Sequence, residues 1–198
     1  MSTTARPLAG PAAVREAADV PSRLRRRRAL YRLASPVSVL TVRHAERPHG
    51  TTVSNIGTVS REPLLLGACL RSGSLLAELA AAEGRFTVNV LDASQTDMAR
   101  YFADPDRPDG EAQFAHWPWT TDPYTRAPRL EGGLAHYACR VFGRPRIGDH
   151  EVLLGHVTRT AVGEGEPLLS YAGGLFTGRL SPVPETGPDH RTGKESTT

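Results

Sequence analysis

The chain predicts a mainly β fold, an antiparallel barrel with peripheral helices, and three observations carry that reading. Residues 37–42, 64–70, 85–91, 134–142 and 151–162 are dense in β-branched and other apolar side chains, the composition of strands buried in a sheet. Helical patterns stand between or ahead of only some of these runs, without the regular alternation that builds a doubly wound sheet. No GxGxxG or GxxxxGK[ST] occurs, so neither a Rossmann nor a P-loop phosphate site is supported.

The elements follow in order. Residues 1–21, rich in Ala, Pro, Thr and Arg, and residues 181–198, rich in Pro, Thr, Gly and charge, read as disordered tails around a single domain at 22–180. Ser22–Ala34 reads as a helix, with Ser22 as N-cap after Pro21, ended by Ser35-Pro36. Val37–Val42 is a strand, and Arg43–Gly50 turns the chain into a second strand that runs through Val59. Leu64–Leu70 is a continuous apolar run. Ser74–Ala82 is a short helix of strong formers, opened by a serine and closed by Gly84. Arg85–Leu91 returns to strand. Ser94–Ala103 fits a second helix, with Ser94 as N-cap and Asp97 in a capping-box position. Residues 104–133 hold both tryptophans and repeated prolines, and are too long for a passive connection, so they are expected to cover something. Leu134–Phe142 and Glu151–Val162 are two long strands joined by a turn at Arg144–Asp149.

Composition bounds the function. With 198 residues, 39% apolar and 23% charged, the chain has the make-up of one globular domain. No segment approaches the roughly 20 apolar residues that cross a bilayer, and the N-terminus lacks the apolar stretch of a secretion signal. Cys69 and Cys139 sit inside apolar runs without metal or redox spacing, so they read as reduced thiols in a cytoplasmic protein. The arginines at 23 and 25–28 interleave with apolar residues at near-helical spacing and lack aromatic stacking partners. They read as a solvated helix face, and neither nucleic acid nor membrane is expected as a partner. The seven histidines show no HxxxH or HExxH spacing, so no metal site is expected.

Two short segments carry the chemistry. Thr51-Thr52-Val53-Ser54-Asn55 and Cys69-Leu70-Arg71-Ser72-Gly73-Ser74 each gather small hydroxyl or amide side chains near a glycine, which is how backbone comes close to a phosphate. The second leads into a helix whose N-terminus offers free N–H groups to an anion, and simple capping by Ser72 or Ser74 is compatible with that use.

Longer stretches resemble the flavin reductase-like family, whose fold is the FMN-binding split barrel. The markers are Ala29 through Thr41, Pro48-His49-Gly50 through Ser54, Val59-Ser60 before Glu62-Pro63, Cys69 through Ser74, Gly84-Arg85-Phe86 through Leu91, Gly148-Asp149-His150, and Pro167-Leu168-Leu169 leading to Tyr171. They run from about Ala29 to Leu180. The resemblance implies a split antiparallel β-barrel and an NAD(P)H:flavin oxidoreductase, with FMN or FAD as cofactor or diffusible substrate and NADH or NADPH as hydride donor. It implies a homodimer that supplies reduced flavin to a flavin-dependent monooxygenase component. Hydride transfer then belongs to the two cofactors, which accounts for the lack of a nucleophile or acid–base pair in the chain.

By the same resemblance Ser35, Pro36, Val37 and Ser38, with Thr52, Val53, Ser54 and Asn55, lie along the flavin ring and ribityl chain. Ser72 and Ser74 approach the phosphate, with Arg85 either as a further charge there or in a surface ion pair. His150 stands near the nicotinamide as the catalytic candidate, and Phe176 is an aromatic beside the flavin or the dimer seam. Pro36 stands where the family has glycine, and Asn55-Ile56-Gly57 replaces a segment that carries phenylalanine. Two alternatives therefore stay open: an oxidoreductase that keeps its FMN and acts on a small organic substrate, and a flavin carrier without turnover.

Overall fold

The computed structural model describes residues 29–30 and 32–183. The expected N-terminal tail, the arginine cluster, most of the expected helix over Ser22–Ala34 and nearly all of the expected C-terminal tail lie outside the described residues.

The central element is one antiparallel sheet. Its strands are β2 (Ser38–His44), β3 (Arg47–Val53), β4 (Ile56–Arg61), β5 (Leu64–Arg71), β6 (Arg85–Val90), β9 (Ala135–Gly143) and β11 (His150–Val162), in the order β3-β2-β6-β9-β11-β5-β4. A short β10 (Arg146–Ile147) pairs with the start of β11. The two ends of this order, β3 and β4, are consecutive in the chain and separated only by Ser54 and Asn55. A sheet whose outer strands are tied by a two-residue link must roll up on itself. It closes without a β3–β5 ladder, which makes it a barrel with a split.

The expected single strand from the first hairpin through Val59 is thus two strands. The hairpin turn lies within the expected Arg43–Gly50 but is tighter, formed by Ala45 and Glu46 alone, with positive φ of 48° and 61°. That left-handed pair is the geometry whose twist matches a two-residue hairpin. The pattern failed to show the break at Ser54–Asn55 because β character continues on both sides of it.

Strand β2 explains how the molecule is layered. Leu40 and Val42 point into the barrel with Val53, Leu66, Ala68, Leu70, Phe86, Val88, Cys139 and Leu153. Val39 points the other way, into a second core with Val37, Leu91, Met98, Ala99, Phe102, Phe114, Leu130 and Leu168. A strand covered on both faces reads as a continuous apolar run. Helix α1 (Leu75–Glu83) adds Leu76, Ala77 and Ala80 to the barrel core and ends at Gly84 in the left-handed conformation, as expected. Helix α2 (Thr96–Ala103) packs on the outer face through Met98, Ala99 and Phe102. Its approach is a 3-10 turn at Ala93–Gln95 capped by Asp92 with Gln95 in a capping box, not by Ser94 with Asp97. Asp92 is the better cap because its carboxylate accepts from both the N–H and the hydroxyl of Ser94.

Residues 104–133 cover the outer wall. They contain a 3-10 turn at Gly110–Phe114 and a hairpin of β7 (Trp119–Thr121) and β8 (Pro128–Leu130). Trp117 and Trp119 pack edge-on against Tyr101 and Phe114 at 5.7 and 5.9 Å. A buried polar seam fixes the hairpin: Asn89 Nδ2 donates to the Val39 carbonyl and the Thr41 hydroxyl, while its Oδ1 accepts from Leu130 N–H. A small sheet of β1 (Ser35–Pro36), β12 (Leu169–Tyr171) and β13 (Gly174–Phe176) completes the fold beside the split.

Candidate functional site

The split shapes the site. Strand β5 runs past the start of β4, where Cys69 N–H bonds to the Asn55 carbonyl. Between that end of β5 and the end of β3 lies a cavity of about 500 Å3, lined by Thr51 through Asn55, Cys69 through Arg71, Ser74, Ala103 and His150. A second cavity of about 390 Å3 is lined by Leu30, Leu33, Ser35, Ser170, Tyr171 and neighbouring glycines, and shares Ser54 and Asn55 with the first. The two form one groove that bends around the Ser54–Asn55 link.

The first cavity favours an anion. Arg71 is exposed and makes no ion pair with a described residue. Ser74 occupies the N-cap position of α1, yet its side chain makes no capping bond, so the hydroxyl is unspent. Ser72, expected at the phosphate, does not line the cavity: its Oγ is buried without a partner and its N–H donates to the Asp149 carbonyl. The unspent Ser74 hydroxyl, a guanidinium and the positive end of a helix fit a phosphate group. His150 lies directly across from Arg71 on the β11–β5 ladder. Its Nδ1 meets the Asp149 carboxylate at 2.9 Å. A carboxylate only accepts, so Nδ1 carries the proton and Nε2 is left for a ligand.

The second cavity is lined differently. Ser35 donates its hydroxyl to the Ser54 carbonyl, tying β1 to the link. Tyr171 lines the space, receives a bond from Arg32 at 3.2 Å and stacks edge-on with Phe176 at 5.8 Å. Phe176 itself does not line the cavity and packs behind Tyr171, which the sequence offered only as a family marker.

Several expected contacts are not made. Val37 is fully buried in the outer core, and its N–H and carbonyl are spent on Leu168 and Leu91. Ser38 is fully buried, paired to Val53 on one side and Val90 on the other. Pro36 pairs with Leu169 and lines neither cavity. Thr52 lines the cavity, but its hydroxyl donates to the Ala99 carbonyl at 2.7 Å; Val53 turns its side chain into the barrel. Arg85 is not in the groove. It starts β6, the far end of the strand from Val90, and is held by Glu83 at 2.8 Å and the Tyr124 carbonyl at 2.9 Å. Arg71 is the cation that lines the groove instead, and its signal was a lone charge at the end of an apolar strand.

Among the described residues no group of three or more His, Cys, Asp or Glu side chains is arranged to hold a metal ion. Cys139 is buried, which pushes its thiol up to about 12, while Cys69 lines the groove. Among the described residues no helix is long and apolar enough to cross a membrane.

A model of the flavin reductase like domain matches residues 30–179. A Streptomyces viridifaciens protein named NADPH-flavin oxidoreductase is 38% identical over 162 residues, covering 81% of this chain and 83% of that protein. The reductase component of a 4-nitrophenol 4-monooxygenase/4-nitrocatechol 2-monooxygenase from Rhodococcus opacus is 31% identical, covering 71% of this chain and 72% of that protein. Among solved structures, the NADH:FAD oxidoreductase of Streptomyces globisporus in complex with NAD and FAD fragments superposes with a TM-score of 0.75 at 28% identity, over 86% of this chain and all of that one.

Proposed function

The chain belongs to the flavin reductase-like family, and on that premise we propose that it is an NAD(P)H-dependent flavin reductase that holds FMN or FAD in the groove at the split and supplies reduced flavin to a partner monooxygenase. The observation that carries this is the meeting of two unlike cavities at Ser54 and Asn55. One has the features of a phosphate site and the other is walled by Tyr171 and apolar residues, as a molecule with a flat ring at one end and a phosphate at the other requires.

Flavin and nicotinamide, when bound, supply the hydride transfer. The chain's residues bind and orient. Arg71 and Ser74 hold the anionic end, and Ser54 and Asn55, which line both cavities, fix the middle. His150 presents Nε2 from the same wall as Arg71, held by Asp149 in the tautomer that can accept a hydrogen bond. The Cys69–Asn55 bond keeps the two sides of the split in register without filling the space between them.

A homodimer belongs to the same proposal. The outer face of the sheet exposes Val59 and Phe142, at 58% and 57% of their surface, around His156, whose buried Nδ1 has no partner. A second copy is the proposed occupant of that patch. Domain limits of 22–180 and a cytoplasmic site are proposed alongside; the latter is supported by two unlinked thiols.

The test is a visible spectrum of the purified protein titrated with FMN and with FAD, followed by absorbance of NADH and NADPH during turnover. Flavin binding with loss of the reduced nicotinamide is expected. Binding without that loss would leave a carrier, and no binding would sink the reading.

A further inference from the structure

A separate cavity of about 370 Å3 opens on the outer wall of β9 and β11 and shares no lining residue with the flavin groove. Register builds its floor. Arg159 pairs with Ala138 and Ala161 with His136, and directly opposed residues project to the same face. The β7–β8 hairpin hangs over this face and adds Arg129 and Asp122.

The charges there are not cancelled. Neither Arg129 nor Arg159 is ion-paired with a described residue. Asp122 sets one negative charge against these two positive ones, and its Oδ1 is engaged within its own turn, accepting from the N–H groups of Tyr124 and Thr125 and from the Thr125 hydroxyl. His136 is fixed by a chain of bonds. Because Asn89 Nδ2 donates to the Val39 carbonyl, Asn89 Oδ1 faces His136 Nδ1 at 3.0 Å, so that nitrogen carries the proton and Nε2 keeps its lone pair. Burial, reinforced by Arg129, holds the imidazole below its ordinary range and therefore neutral near neutral pH.

We propose that this cavity binds a small oxyanion that also carries a hydroxyl group, a hydroxycarboxylate or a hydrogen phosphate. Arg129 and Arg159 supply forked donors of the kind carboxylate and phosphate oxygens accept. His136 Nε2 accepts from the ligand hydroxyl, and Ala138 and Ala161 give an apolar wall for its carbon frame. The volume lies at the small end of ligand pockets. This site is independent of the flavin reading.

Calorimetric titration of the full chain with L-malate and with inorganic phosphate tests it and separates the two ligand sources. Saturable binding of at least one probe is expected, weakened roughly tenfold or more by Arg159→Ala and by Arg129→Lys, since each removes charge-assisted hydrogen bonds. FMN affinity should be unchanged in both variants, and the bound anion should raise the His136 pKa seen by NMR. Absence of binding by either probe, affinity that survives both substitutions, or displacement of the probe by FMN would each overturn the proposal.

Discussion

His150 and Arg71 face each other across the ladder that joins β11 to β5, and both project into the same cavity. Their chemistry differs. Arg71 brings a permanent charge that no described residue neutralises, whereas His150 brings one free ring nitrogen oriented by Asp149. Arg71→Gln is expected to weaken FMN binding by roughly tenfold, the scale of one charge-assisted hydrogen bond, with little change in turnover at saturating flavin. His150→Ala is expected to slow reduction while leaving FMN affinity within about twofold. Fluorescence titration of FMN and stopped-flow reduction by NADH measure the two effects separately; equal loss of affinity in both variants would remove the distinction.

Ser74 offers a sharper separation of binding from stability. Replacing an N-cap serine with alanine ordinarily costs about 1 kcal/mol. Here the side chain makes no capping bond, so Ser74→Ala is expected to change folding stability by no more than a few tenths of a kcal/mol and still weaken FMN several-fold. Urea melts with and without FMN check both halves. A full capping penalty would show that the hydroxyl serves the helix.

Gly155 sits where β11 passes over the barrel interior. A Cβ there would stand 2.6 Å from Phe86 Cζ and 2.9 Å from Cys139 Cβ, both inside the close-packed core. Gly155→Ala is expected to destabilise the fold by about 1–3 kcal/mol, the range for overpacking. Adding Phe86→Leu should recover part of that loss by withdrawing the ring tip. Chemical denaturation of the two variants is the measurement.

His49 makes stability depend on pH. Burial, followed by the nearby Arg107, lowers its pKa to about 4. The tautomer agrees: Gln113 Oε1 accepts from Gly50 N–H, so the Gln113 amide donates to His49 Nδ1, which must be an acceptor. The unfolded chain takes up this proton near the ordinary histidine pKa of about 6.5 and the folded chain resists it, so the unfolded state binds more protons in between. Stability is therefore expected to fall as pH drops from about 6.5 to about 4 and to level off below that. His49→Gln should flatten this part of the profile. Melts across that range decide the matter.

Much of the fold was legible because its signals are local. The run at β5, the strong formers of α1 before Gly84, and the long strands β9 and β11 declare themselves within a few residues. The break at Ser54–Asn55 was not legible, since barrel closure imposes it rather than any turn residue. The site divides in the same way. Thr51 through Asn55, Cys69 through Arg71, Ser74 and His150 line one cavity, while Ser72, from the same segment, is buried behind it. Val37 and Ser38 do not reach it, because a strand covered on both faces leaves no side chain to a ligand, and no one-dimensional pattern distinguishes that from an exposed edge. Of the two uses open to Arg85, a phosphate contact or a surface ion pair, the structure has the ion pair, with Glu83 two residues away across the Gly84 turn.

The split between β3 and β5 also couples the groove to the folding of the whole molecule. The hairpins β2–β3 and β4–β5 join neighbours in sequence, but the ladder that brings β5 to β11 pairs distant residues such as Leu66 and Gly155. Until that non-local ladder forms, the two walls of the groove are not opposed, and contacts of this kind are the slow ones to assemble. A ligand that touches both walls binds only the completed barrel, so it draws the folding equilibrium toward the native state by mass action, by an amount that grows with the logarithm of its concentration.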